Sequence, residues 1–165
     1  MTKTLASGAA ACCALIMFAA AAAPAEAASL RRSVDVDASP ETVWSAIGPF
    51  CAIAAWHPAI GSCAEDARGP VVRTLVTKDG KATFVEIQTA RSQAERSYSY
   101  TFKSAPIPVT GYASTLRVLA KADGTSTVTW SGAYTPDAGQ AKAADEALAG
   151  IYESGLAAIK ARFAH

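Results

Sequence analysis

Hydrophobic and polar positions alternate through the middle of the chain and repeat at helical spacing near its end. Residues 33–37 (Ser-Val-Asp-Val-Asp) alternate and predict a first strand. From Ile60 onward the period is two again, and it predicts six more strands, near Ser62–Asp66, Val71–Thr77, Ala82–Arg91, Arg96–Phe102, Tyr112–Ala120 and Thr125–Tyr134. Asp-Gly pairs at 79–80 and 123–124 separate such runs and are typical of tight hairpins. We therefore expect an antiparallel meander.

Three helices are predicted around these strands. Ser39, Pro40 and Glu41 form a helix start, with a capping hydroxyl, a proline at the first helical position and an acid near the positive end of the dipole. The stretch 50–56 predicts a second short helix that ends before Pro58. From Asp137 a 3.6-residue period predicts a long amphipathic helix whose apolar side carries Ala144, Leu148, Ile151, Tyr152, Gly155, Leu156, Ile159 and Phe163.

This order of elements resembles the helix-grip fold of the START-type (SRPBCC) ligand-binding superfamily. Several stretches are similar to its polyketide cyclase/dehydrase-like branch: residues 34–44 (VDVDASPETVW), 56–58 (WHP), 98–100 (YSY), 108–112 (PVTGY), 116–118 (LRV) and 127–130 (TVTW). The resemblance implies an α+β fold in which a curved antiparallel sheet wraps around a long C-terminal helix, with two short helices after the first strand. Some exported members are linked to periplasmic methanol oxidation, and the chain is similar to them in its N-terminal segment.

Residues 1–27 are predicted to be a secretory signal peptide. Lys3 is the only charge before Glu26, the segment between them is apolar and rich in alanine, and Ala25 and Ala27 supply small side chains before a cleavage site. A transmembrane anchor is the alternative, because the uncharged run is nearly long enough to span a bilayer. The alanine content and the small-residue ending favour cleavage. We expect a periplasmic product, residues 28–165, that forms a single START-like domain without stable membrane insertion.

Charge and cysteine content narrow the partners. The chain has 15 basic and 14 acidic residues, a formal net charge of +1 and no basic run, so nucleic acid is not expected to bind. Cys51 and Cys63 remain after signal cleavage, and an even pair in an oxidising compartment predicts a disulfide. A metal site of Cys51, His57 and Cys63 is the alternative, but structural zinc prefers four ligands and closer cysteines. We expect no metal and no cofactor.

Alternation also predicts which side chains face an internal cavity. Polar Thr127, Thr129 and Ser131 are expected to face water, which turns their neighbours inward. The predicted ligand-binding residues are aromatic: Trp56, Tyr98, Tyr100, Tyr112, Trp130, Tyr134 and Tyr152. A buried tyrosine hydroxyl or tryptophan N–H requires a partner, which a ligand or a trapped water supplies. The alternative is a filled core in which each polar tip bonds to the backbone.

Glu86 and His57 are the candidates for chemistry. Glu86 lies mid-strand between Val85 and Ile87. If it faces inward, it is a carboxylate in an apolar cavity, with a raised pKa suited to proton transfer. If it faces outward, it is an ordinary solvated side chain. Arg73 and Arg96 are conceivable partners near the pocket rim, although cross-strand pairing at the surface explains them as well. His57 lies in a predicted loop at the cavity mouth, where it either titrates against a ligand or locks the loop beside the disulfide.

Three functions remain open at this point. The first is a periplasmic binding protein for a small hydrophobic or amphipathic molecule, favoured because the sequence contains no hydrolase nucleophile motif, phosphate loop or metal-ligand cluster. The second is a cyclase or dehydratase for a carbonyl compound, in which Glu86 or His57 transfers a proton and a tyrosine hydroxyl polarises the carbonyl. The third, an accessory protein of a periplasmic dehydrogenase, rests on the resemblance alone.

Overall fold

The computed structural model describes residues 26–164. The described part contains seven strands: β1 (Ala28–Val36), β2 (Ile60–Asp66), β3 (Val72–Thr77), β4 (Thr83–Ser92), β5 (Ser97–Ser104), β6 (Val109–Ala120) and β7 (Ser126–Pro136). Its helices are α1 (Pro40–Ile47), α2 (Ile53–Trp56), which directly follows a 3-10 turn at Phe50–Ala52, and α3 (Ala141–Arg162). The predicted signal peptide lies almost entirely outside the described residues.

The seven strands form one antiparallel sheet in the order β1-β7-β6-β5-β4-β3-β2. Strands β2 to β7 are the predicted meander, and β1 pairs with β7 from Ala28 opposite Tyr134 to Val36 opposite Ser126. The curved sheet stays open, with β1 and β2 as its edges, and α3 packs on its inner face. The predicted α+β helix-grip fold is confirmed.

The starts of β1, β6 and α3 differ most from the prediction, each for a local reason. Strand β1 begins before Ser33. The sequence pattern does not predict this part of the strand, because Arg32 interrupts the apolar alternation. In the structure the Nε of Arg32 donates to Glu153 of α3 at 2.7 Å. Strand β6 begins before Tyr112, across a bulge at Gly111, where φ is 60°. Helix α3 begins after Asp137, because Gly139, with φ of 73°, turns the chain first.

The predicted helix start is confirmed, and six of the eight residues predicted on the apolar side of α3 are buried, with Ile151 and Phe163 partly exposed. The Oγ of Ser39 accepts a hydrogen bond from the N–H of Thr42 at 3.2 Å, and this caps α1. The buried residues of α3 are Ala144, Leu148, Tyr152, Gly155, Leu156 and Ile159. At Gly155 a Cβ would lie 2.8 Å from ring carbons of both His57 and Trp130, so glycine lets the helix approach the sheet closely. None of the described helices is long and apolar enough to cross a membrane.

One predicted outward residue is buried. Thr129 on β7 is only 7% exposed, whereas its neighbours Thr127 and Ser131 are partly exposed. Strands on both sides of β7 place Ser33 and Arg117 directly beside Thr129. The expectation that Thr129 faces open water is therefore wrong, because Thr129 lies between two paired strands and the long side chain of Arg117 is its direct neighbour on one of them.

Candidate functional site

A cavity of about 80 Å³ lies between the inner face of the sheet and the helices. Pockets that enclose drug-sized ligands are several times larger, roughly 300–1,000 Å³. The walls are mostly apolar side chains from the sheet, α2 and α3: Ile53, His57, Ala59, Ile60, Leu75, Thr77, Phe84, Glu86, Tyr100, Phe102, Tyr112, Trp130, Leu148 and Ile151. The arrangement therefore suits a small, largely apolar molecule.

The seven predicted aromatic residues are all buried, but three of them line the cavity: Tyr100, Tyr112 and Trp130. The other four are buried but are not part of the cavity lining: Trp56, Tyr98, Tyr134 and Tyr152. Trp56 and Tyr152 pack on the indole of Trp130, with ring centroids 5.8 and 4.6 Å away. The hydroxyl of Tyr134 points away from the cavity and donates to Asp145 at 2.5 Å. From α3, Leu148 and Ile151 line the cavity.

Five side chains form a hydroxyl network beside the cavity: Tyr100, Tyr112, Ser114, Trp130 and Tyr152. Each hydroxyl has a single proton to donate, and this fixes which groups of the network are donors and which are acceptors. The Oγ of Ser114 donates its single proton to the carbonyl of Ser131 at 2.9 Å, so the Tyr152 hydroxyl, 2.9 Å away, must donate to Ser114. The Tyr112 hydroxyl, 2.8 Å from that of Tyr152, must then donate to Tyr152.

Tyr100 is the start of this chain of donors. Its oxygen accepts a hydrogen bond from Nε1 of Trp130 at 3.0 Å, and the same N–H is 3.1 Å from Ser114 Oγ. Its own proton has a weak acceptor, the Tyr112 oxygen at 3.4 Å. Burial raises the pKa of Tyr100 and of Tyr112 well above the ordinary value of 10.0, so both hydroxyls are donors at neutral pH.

Arg73 and Glu86 form a charged centre that is 0% and 4% exposed. The Nε of Arg73 donates to Oε2 of Glu86 at 2.6 Å, and its Nη1 donates to the carbonyl of Phe50. The guanidinium also lies over the Phe50 ring, 3.9 Å from its centroid. Glu86 therefore faces inward, with Arg73 as its partner. Arg96 instead lies at the surface beside Glu41, 3.1 Å away.

The charged centre leaves hydrogen-bonding groups unused. Among the described residues, Nη2 of Arg73 and the buried hydroxyl of Tyr98 have no hydrogen-bond partner. Tyr98 packs against the same Phe50 ring at a centroid distance of 5.4 Å. Burial raises the pKa of the Glu86 carboxyl, and the Arg73 guanidinium opposes that change without cancelling it. Because a protonated Glu86 would leave Arg73 as an unpaired buried cation, the carboxylate is the form expected at neutral pH.

His57 is held by both ring nitrogens. Its Nδ1 accepts from the N–H of Ala59 at 3.2 Å, which leaves Nε2 to donate to the carbonyl of Ile151 at 3.0 Å. Burial lowers the pKa of His57 below 6.5, and the charge of Arg73 acts in the same direction. This geometry is that of a loop-locking residue which ties the end of α2 to α3, with no ring nitrogen left to exchange a proton with a ligand.

Cys51 and Cys63 are joined by a disulfide, with Cα atoms 5.5 Å apart. It ties the 3-10 turn to β2 and so fixes Phe50, which contacts Arg73. With both cysteines in the bond, no thiolate is left for the alternative zinc site. No group of three or more metal-ligating side chains occurs within residues 26–164.

Sequence reasoning missed two contributors to this site. Ser114 interrupts the inward apolar series of β6, and a polar residue at an inward position was the signal that could have identified it. Phe50 contributes a backbone carbonyl to Arg73, and no sequence pattern reveals such a contact. Arg73 itself alternates with the inward Leu75, which was a usable sign of its direction.

Solved structures of similar proteins share this fold. Protein XoxI from Bacillus cereus is 36% identical, with 82% of this chain and 95% of that chain covered and a TM-score of 0.77. An uncharacterised protein from Bacillus thuringiensis is 37% identical, with 82% and 98% covered and a TM-score of 0.77. The Zhui aromatase/cyclase from Streptomyces sp. R1128, 18% identical with 83% and 93% covered and a TM-score of 0.66, is similar in fold alone.

A search of curated protein sequences found no match. The family model described as polyketide cyclase / dehydrase and lipid transport matches residues 27–164, which is nearly the whole described chain. Together with the helix-grip architecture and its enclosed cavity, this match shows that the chain belongs to that family.

Proposed function

We propose that this protein is a periplasmic binding protein for a small apolar or amphipathic molecule held between the sheet and α3. The observation that carries the proposal is the apolar cavity, whose lining includes Tyr100 and Glu86, two side chains with hydrogen-bonding capacity that the protein uses only in part. Apolar walls with a few placed polar groups are the usual composition of a small-molecule site. The disulfide and the predicted signal peptide support an oxidising compartment.

Binding is favoured over catalysis by the state of the two candidate acid–base groups. His57 has neither ring nitrogen free, and one carboxylate oxygen of Glu86 is held by Arg73. A cyclase or dehydratase is the second candidate, and the inward Glu86 with its raised pKa is the observation that favours it. The accessory role beside a periplasmic dehydrogenase stays a prediction from family resemblance.

Native mass spectrometry of the protein purified from its own periplasm tests the proposal. A small molecule retained in the native spectrum and released unchanged on denaturation is the expected result. The denatured mass also reports cleavage after Ala27 and the disulfide. An altered molecule, released as a product during incubation, would favour the enzyme instead.

Two variants on α3 make the test specific to the cavity. Ile151 lines the cavity, so Ile151→Trp should fill it and abolish retention. Ala147 is exposed on the same helix, so Ala147→Trp adds the same side chain to solvent and should retain the molecule. Equal retention by both variants would place the molecule elsewhere and overturn the proposal, as would a wild-type protein that binds no small apolar molecule at millimolar concentration.

A further inference from the structure

The proton of the Tyr100 hydroxyl is the one donor of the hydroxyl network that lacks a good acceptor. The other hydroxyl protons of the network are all donated: Tyr112 donates to Tyr152, Tyr152 donates to Ser114, and Ser114 donates to the carbonyl of Ser131. The Tyr100 oxygen already accepts from Trp130, so what it can offer a ligand is its proton. Tyr100 is also one of the residues that line the cavity.

Glu86 brings the complementary group to the same cavity. Its Oε2 is taken by Arg73, and among the described residues Oε1 makes no hydrogen bond. Arg73 does not line the cavity, so a ligand meets the carboxylate rather than the guanidinium. The expected ionised form of Glu86 is an acceptor without a proton to give.

The donor and the acceptor lie close to each other. Glu86 pairs with Phe102 and Gln88 pairs with Tyr100, so Glu86 and Tyr100 are diagonal neighbours on adjacent strands. Such neighbours are about 7–8 Å apart at the backbone, within reach of long side chains on one face. The guanidinium that holds Glu86 also lies 5.0 Å from the centroid of the Tyr100 ring. Glu86 and Tyr100 therefore belong to the same part of the cavity wall.

We propose that the cavity selects a neutral molecule with a hydroxyl group, an alcohol or a phenol, that accepts from Tyr100 and donates to Glu86. This inference rests on the proposed binding function. A ketone of the same shape accepts from Tyr100, but it has no proton to donate. The carboxylate of Glu86 then faces the lone pairs of the ketone oxygen without a hydrogen bond. A carboxylate meets the negative charge of Glu86, and a hydrocarbon leaves both groups unsatisfied.

Titration of the wild-type protein with cyclopentanol, cyclopentanone, cyclopentane and butyrate tests the selectivity, with amide NMR shifts of the cavity residues as the readout. Cyclopentanol should bind about tenfold more tightly than the ketone, because a buried polar group left unpaired lowers affinity by roughly that factor. Equal affinity for alcohol and ketone would overturn this inference and leave the binding function intact. No shift with any of the four would count against both.

Paired tyrosine variants identify the donor. Tyr100→Phe should weaken cyclopentanol binding about fivefold, the usual effect of one neutral hydrogen bond, and should not weaken cyclopentane binding, because the hydrocarbon makes no hydrogen bond to Tyr100. Tyr98→Phe removes a neighbouring buried hydroxyl that lies outside the cavity lining, so it should leave both affinities unchanged. An unchanged alcohol affinity in folded Tyr100→Phe, shown by a wild-type-like amide spectrum, would also overturn the inference.

Discussion

The hydroxyl network and the charged centre are both buried on the inner face of the sheet, but they satisfy their polar atoms in opposite ways. In the network, each donated proton has an acceptor in turn, from Tyr112 to the carbonyl of Ser131. In the charged centre, Arg73 leaves Nη2 without a partner, and the adjacent Tyr98 hydroxyl has none among the described residues. One region is a neutral chain that is closed from Tyr112 onward and open only at Tyr100, and the other is charged and incompletely paired.

This difference indicates which part of the cavity wall stabilises the fold and which part is available to bind a ligand. A satisfied neutral network behaves like core, because its members lose little by staying dry. A buried ion pair is weak evidence for stability, since apolar residues of similar volume often replace it at no cost. The pair is therefore the region more readily explained by binding, and Tyr100 is the residue at which the two regions meet the cavity.

The largest effect is expected from removing one member of the charged centre. Glu86→Leu leaves Arg73 as an unpaired buried cation and should lower the free energy of unfolding by about 3–5 kcal/mol. Adding Arg73→Met removes that charge and should restore most of the loss. Urea denaturation of the two variants measures both values. If the single variant loses less than about 1 kcal/mol, the pair is more hydrated than its burial indicates.

A smaller effect is expected from opening the hydroxyl network. Tyr152→Phe removes the hydroxyl that accepts from Tyr112 and donates to Ser114. The ring still stacks on Trp130, so the loss should be about 1–3 kcal/mol, the cost of leaving a buried donor unpaired. The same denaturation measurement applies, and Tyr134→Phe, which loses a hydroxyl bound to exposed Asp145, is the control with a smaller loss. A loss as large as that of Glu86→Leu would contradict the comparison.

The sequence predicts the fold well because each element has its own period. Alternation identified the meander and the inward direction of Tyr98, Tyr100 and Trp130, since side chains of a strand point alternately to the two faces. Alternation could not decide which face of the sheet Glu86 occupies, because apolar residues flank that carboxylate on both faces of β4. The partner that decides it, Arg73, lies on the next strand, and register across strands is not written in a local pattern.

The site was less predictable than the fold for a related reason. Aromatic side chains on an inner face indicate burial, but whether they line space or fill it depends on how α3 packs. Gly155 and Gly132 decide that packing here, since a Cβ at Gly132 would collide with the hydroxyl of Tyr152. Two glycines thus let Tyr152 pack against β7, which leaves Leu148 and Ile151 to close the cavity.

His57 extends the comparison because it contacts a member of the hydroxyl network and its pKa is affected by the charged centre. It packs edge-on against Trp130 at 6.1 Å, and the charge of Arg73 helps to lower its pKa. A pKa below 6.5 means that folding favours the neutral ring. The stabilisation is therefore present above pH 6.5 and is lost as the pH falls through the folded-state pKa, by about 1.4 kcal/mol for each unit of lowering.

Thermal denaturation between pH 8 and pH 5, roughly the range in which histidine titrates, measures this contribution. The wild-type protein should lose more stability on acidification than His57→Gln, which has no proton to gain. The Glu86→Leu, Arg73→Met double variant should titrate His57 at a higher pH, because the charge of Arg73 is gone. Parallel pH profiles for wild type and His57→Gln would show that His57 titrates as a solvated residue.

The smallest expected effect is the one that separates the two regions most cleanly. Tyr98→Phe removes a buried hydroxyl that has no partner among the described residues, so no hydrogen bond is lost and the desolvation cost disappears. The free energy of unfolding should stay unchanged or rise by up to about 1 kcal/mol, whereas the same substitution at Tyr152 lowers it. A loss above about 1 kcal/mol at Tyr98 would mean that the hydroxyl binds an ordered water or Nη2 of Arg73. The charged centre would then be closed except at the Oε1 of Glu86, the one side chain of that centre that lines the cavity.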